Sequence, residues 1–154
     1  MENVHYYDTE IIWKKDRMGI LGSGVLPTTI EVCTPPPFNK GMENIWSPEH
    51  LLVGAVNSCL MTTFLAIAEN SSLDFVSFHS NAVGKLEMID GKYLVSEIVL
   101  KPVVTILDPE QKERAERVIM KSEKACLISN SVKSTITVIP KVVVKMTRQE
   151  MQPA

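Results

Sequence analysis

From Leu51 to Ala68 the chain runs 18 residues without a charge. No other segment limits the fold as strongly. A run of that length is near the minimum for crossing a bilayer. It is interrupted by Gly54, Asn57, Ser58, Thr62 and Thr63, and Glu49 and Glu69 flank it where an anchor would carry basic residues. The expectation is a buried helix, not a membrane span. Its start is marked by Ser47 as N-cap, Pro48 at the first helical position and Glu49 at the positive end of the helix dipole. The helix is expected to run from Ser47 to about Asn70. A lone helix that is apolar on nearly every face is hard to cover in a chain of 154 residues. A sheet on one side and a second copy of the chain on the other would do so.

The remaining segments suggest what that sheet is made of. Residues 2–14 have a strand-like mixture, with Val4, Tyr6, Ile11 and Trp13 as expected core positions. Gly19, Gly22 and Gly24 punctuate a turn. Val25 to Cys33 predicts a second strand, stopped by Pro35-Pro36-Pro37. Residues 74–107 alternate around Asp90-Gly91 and predict a long antiparallel hairpin. Asp108-Pro109-Glu110 opens a second helix with Ala115, Val118, Ile119 and Ala125 at helical spacing. Residues 132–146 predict a closing strand, with Pro140 at an edge or bulge. The fold class is α+β, in the order ββ-α-ββ-α-β. A single domain over 1–154 is expected, with both helices on one face of an antiparallel sheet.

A net charge of −2 offers nothing to attract nucleic acid or an anionic membrane. The N-terminal segment lacks the apolar core of a secretory signal, so a cytoplasmic location is expected. Thiols stay reduced there. Cys59 falls in the apolar helix and Cys126 just after the second helix, while Cys33 is left over on a strand before the prolines. Such a pair in a cytoplasmic chain points to redox chemistry more than to a structural disulfide. The residues alone leave open that either thiol is only a small core side chain. His5, His50 and His79 are scattered, and no close ligand spacing supports a metal. No phosphate loop, nucleophile elbow or dinucleotide fingerprint is present, and no cofactor is expected.

The segment SPEHLLVGAVNSCLMTTFLAIAE resembles the first cysteine helix of the OsmC/Ohr family of thiol-dependent peroxidases, and CLISNSVKSTITV resembles that family's second cysteine segment. The element order is similar as well. The resemblance implies an OsmC-like fold and an intertwined homodimer with sites at the subunit interface. It implies reduction of organic hydroperoxides by a peroxidatic Cys59 and a resolving Cys126, with the oxidised pair re-reduced by a dithiol such as a lipoyl protein. It also assigns Glu49 and Arg17 as an ion pair near the thiolate. Arg17 lies in KKDRMGILG, which departs from the family's usual Gly-Arg-x-Gly. Leu127 stands where the family often has proline.

Physical chemistry sets a condition on this reading. The thiolate is the nucleophile, and burial alone raises a thiol's pKa. Cys59 lies about three turns into its helix, beyond useful reach of the dipole. It therefore needs a cation or hydrogen-bond donors, and Arg17 held by Glu49 is the expected source. Leu51, Leu52, Val56, Leu60 and Phe64, with Trp46 and Phe38 from the preceding loop, are expected to favour an apolar peroxide. Two other classes of function fit the same residues. One is a non-catalytic dimer holding a small apolar ligand. The other is a redox sensor that reports oxidation to a partner.

Overall fold

The computed structural model describes residues 3–146. Glu2, the first residue of the expected opening strand, lies outside them. The chain falls into two compact units, residues 1–51 and 52–154.

The first unit holds a three-stranded antiparallel sheet in the order β1-β2-β3: β1 Glu10–Lys15, β2 Met18–Gly22 and β3 Ile30–Cys33. The first turn is at Asp16-Arg17; of the three glycines only Gly24 lies in a turn, between β2 and β3, where the Leu26 N–H bonds the Ser23 carbonyl at 3.1 Å. Asp16 takes φ 46, a left-handed conformation that aspartate tolerates. Gly19 and Gly22 lie within β2. At Gly19 a Cβ would come within 2.9 Å of the Ile12 carbonyl oxygen, so close strand approach explains this glycine. The second expected strand is confined to its last four residues. Val4, Tyr6, Ile11 and Trp13 are exposed, contrary to expectation, and every residue of β1 is exposed. Alternation correctly marks a strand here, but no layer of the first unit covers it.

The long helix α1, Pro48–Asn70, begins where Ser47 caps it. The Ser47 hydroxyl accepts the His50 N–H at 3.4 Å and bonds His50 Nδ1 at 2.9 Å. This helix has the length and composition to cross a membrane, yet it packs as a core helix. Val56, Cys59, Leu60, Phe64 and Ala68 form its buried stripe. Only 28% of its most apolar stretch is buried, so burial on nearly all sides is not met within one chain. Met61 and Leu65 remain 40% and 43% exposed.

In the second unit, β4 Ser77–Ile89 and β5 Lys92–Ile106 form the expected hairpin. Asp90 and Gly91 both have positive φ, the geometry of a tight type I′ turn. Asp108 accepts the Glu110 N–H at 2.9 Å and opens a 3-10 turn, Pro109–Gln111, which leads into α2, Lys112–Ala125. The closing strand is split into β6 Thr135–Val138 and β7 Lys141–Val144, because Pro140 has no N–H to continue the ladder. Both pair with β5 in parallel. The α+β class holds, but there are two sheets and the second is mixed. A helical crossover returns the chain to the start of β5, and the next strand must then run parallel to it.

Two buried clusters hold this unit together. Phe64 and Ala68 of α1 meet Ala115, Val118 and Ile119 of α2 and Val104 and Ile106 of β5. Val56 and Leu60 meet Ile98 and Leu100, with Ile128, Val132 and Ile136 against them. The two helices therefore share a face of the sheet, as expected. The second cluster brings the segment after α2 against the part of α1 that carries Cys59.

Candidate active site

Cys59 is on the buried stripe of α1, and Thr63 stands one turn later on the same face. Their Sγ and Oγ1 atoms are 3.9 Å apart. Cys126 caps the C-terminal end of α2. Its φ of −65 and ψ of 111 turn the backbone out of the helix, while its N–H still bonds the Glu123 carbonyl at 3.1 Å. A 3-10 turn, Ser129–Ser131, follows. Side chains of the Ser-Asn-Ser run secure it. Asn130 Nδ2 donates to the Lys124 carbonyl at 3.1 Å, and Ser131 Oγ donates to the Leu127 carbonyl at 2.7 Å. The Asn130 N–H bonds the Cys126 carbonyl at 3.1 Å. The Cys126 sulfur is thus fixed at a point where the backbone amides after it face α1.

The two thiols are free and buried, and they lie close enough that each shifts the titration of the other. Burial pushes the Cys59 thiol up, but the Cys126 S–H, the Ile128 N–H, the Thr63 hydroxyl and the Leu127 N–H outweigh it, leaving the pKa below the ordinary thiol value. Cys126 moves the other way. Burial and its bond to Cys59 raise it, against the pull of Ser129. The Ser129 N–H donates to Cys126 Sγ at 3.4 Å. One sulfur of the pair is therefore prepared to be a thiolate and the other to hold a proton. Leu127 matters through its backbone, since a proline there could supply no N–H.

The other expected site residues belong to the first unit. Arg17 is exposed in the β1–β2 turn, where its carbonyl accepts the Thr34 N–H at 3.2 Å. Glu49 is half-buried, and its Oε2 is buried without a hydrogen-bond partner. Among the described residues these two form no ion pair with each other. Cys33 is buried, with its thiol 3.5 Å from the Met42 carbonyl, and has no second cysteine beside it. Sequence reasoning missed Thr63 and the Leu127 and Ile128 amides. The first had a signal in its i+4 spacing from Cys59; backbone donors leave none in the side chains. Among the described residues, no group of three His, Cys, Asp or Glu is placed to hold a metal.

The paired thiols and their surrounding elements can be compared with known proteins. The family model for OsmC-like protein matches residues 41–141. The chain belongs to the OsmC-like family. The uncharacterized protein YmaD of Bacillus subtilis is 23% identical over 137 residues, covering 86% of this chain and 89% of that protein. Among solved structures, an OsmC-like protein of unknown function from Vibrio cholerae superposes with a TM-score of 0.79 at 24% identity, covering 89% of this chain and 99% of its own. An organic hydroperoxide resistance protein from Elizabethkingia anophelis superposes at 0.71 with 16% identity, covering 94% of this chain and all of its own. At these identities the superpositions establish a shared OsmC-like fold.

Proposed function

We propose that this OsmC-like protein is a cytoplasmic thiol-dependent peroxidase that reduces organic hydroperoxides. The observation that carries this reading is the packing of the Cys126 segment against the face of α1 that bears Cys59, which brings two free buried thiols together and displaces their titration in opposite directions. The Cys59 thiolate attacks the distal peroxide oxygen, the O–O bond breaks, and the alcohol leaves with a proton. Cys59 becomes a sulfenic acid. Cys126 then forms the S–S bond, and the sulfenic oxygen departs as water. A dithiol, of which a lipoyl protein is one chemical type, exchanges with the disulfide and restores both thiols. Val56, Leu60 and Ile128 give the surroundings an apolar character that suits an organic peroxide better than hydrogen peroxide. Arg17 and Glu49, which form no ion pair in the single described chain, are proposed to assist activation in the working form. Within residues 52–154 the backbone amides and Cys126 already provide donors for the thiolate. The working form is assigned as a homodimer, which would cover the exposed apolar residues of α1 and β1.

Mass spectrometry of the reduced protein after one equivalent of cumene hydroperoxide tests this. The expected product is a Cys59–Cys126 disulfide, formed within seconds and reversed by dihydrolipoamide. Thiols that remain reduced, or oxidation centred on Cys33, would overturn the peroxidase reading in favour of a non-catalytic dimer that binds an apolar ligand.

A further inference from the structure

Three serines are buried among the described residues: Ser47, Ser122 and Ser129. Ser122 Oγ donates to the Val118 carbonyl at 2.6 Å, and Ser47 Oγ bonds His50. Ser129 is different. It is 8% exposed, yet its Oγ is buried and has no formed hydrogen bond. The fold already directs its N–H at Cys126 Sγ, 3.4 Å away. Its hydroxyl is close enough to help its amide draw the Cys126 thiol down against burial. A buried polar group without a partner calls for an explanation, and one that acts in another chemical state of the site provides it. The resolving half-reaction contains such a state. Cys126 must give up a proton there in a dry environment that opposes its ionisation.

Resting on the peroxidase reading, we propose that Ser129 is a positioning residue for the resolving step, with its hydroxyl turning onto Cys126 Sγ as the thiolate forms. Cys126 loses its proton and its sulfur attacks the Cys59 sulfenic sulfur. The S–S bond forms, the S–O bond breaks, and the departing hydroxide takes up a proton and leaves as water. The sulfenic sulfur is reduced as Cys126 is oxidised, so no further oxidant is needed. During reduction by the dithiol, the same N–H and O–H stabilise Cys126 when it leaves as thiolate.

The test compares Ser129→Ala and Ser129→Thr with the native protein, following each half-reaction separately after cumene hydroperoxide. Dimedone trapping reports the Cys59 sulfenic acid, and quenched mass spectrometry reports the disulfide. In Ser129→Ala, sulfenic acid should form at the native rate. Disulfide formation should slow about tenfold, and its pH midpoint should rise by about one unit, the effect of one hydrogen bond to a charged sulfur. Cys59 sulfinic acid should then accumulate under excess peroxide, and Ser129→Thr should restore the native pattern. Disulfide formation at the native rate and pH midpoint in Ser129→Ala would overturn the proposal. So would an equal slowing of both steps, which marks a merely structural role. If the native protein does not react with peroxide, the peroxidase reading fails, and the Ser129 proposal is then decided by iodoacetamide labelling of Cys126 against pH. An unchanged labelling midpoint in Ser129→Ala overturns it, and a raised one supports Ser129's hold on that sulfur.

Discussion

Cys59 and Cys126 lie together, yet their surroundings treat the two sulfurs in opposite ways. Both are buried, which disfavours charge. Cys59 receives donors from Cys126, Ile128, Thr63 and Leu127, whereas Cys126 receives its help from Ser129 alone. The pair should lose protons in two steps, one below and one above the ordinary thiol range. Because only the thiolate alkylates, iodoacetamide labelling of Cys59 should reach half-maximum at a lower pH than a free cysteine, with Cys126 following at a higher one. Peptide mass spectrometry across a pH series checks the order. Replacing Cys126 with alanine removes both a donor and the resolving sulfur. Cys126→Ala should retain a single, slower oxidation of Cys59 and then carry it to sulfinic acid, seen as an added mass of two oxygens.

The decisive donors belong to elements more than to side chains. Cys126 at the end of α2 adopts ψ 111, the extended conformation that a following proline favours. Leu127→Pro should therefore be accommodated by the backbone while deleting one N–H from the Cys59 sulfur. Its labelling midpoint should move up and its oxidation by peroxide should slow roughly threefold, as expected for loss of a weak member of a donor set. Circular dichroism should remain native. Packing of α1 on the sheet permits a second prediction at this scale. Gly84 of β4 lies against Val53, and any added Cβ would collide with that stiff side chain. Gly84→Val should lower stability to denaturant by about 1–3 kcal/mol. Much of this level was legible in the chain. Ser47-Pro48-Glu49, Asp90-Gly91 and Asp108-Pro109 signal their elements through local backbone chemistry, and the structure follows them. The turn at Asp16-Arg17 was missed because Gly19 and Gly22 lie within β2, where Gly19 allows close approach of β1 instead of a bend. The parallel direction of β6 and β7 depends on a crossover, which no local pattern encodes.

At the scale of the whole molecule, the exposed apolar surface stands out. Met61 and Leu65 on α1 and Trp13 on β1 are too exposed to be core in a single chain. Sedimentation or light scattering should find a dimer, and Leu65→Glu should shift it toward monomer with exposed apolar surface detectable by a fluorescent dye. The apolar run of α1 signalled this exposure in advance, since one chain could not cover it. The relation between Arg17 and Glu49 was not legible in the same way. The resemblance assigned their roles, but the single chain leaves Arg17 exposed and Glu49 Oε2 unpartnered.

The parallel pairing of β6 and β7 with β5 also sets when the chemistry can begin. Glu97 meets Thr135 only after a long loop containing α2 and Cys126 has closed, and contacts of such separation form late in folding. Until then Cys59 lacks the donors that Cys126, Leu127 and Ile128 supply and keeps only Thr63 of its own helix. A nascent chain still on the ribosome is thus a dull thiol among many, and heightened nucleophilicity arrives together with the resolving partner that limits its damage. A chain under synthesis therefore does not yet carry the fully activated sulfur of the folded site.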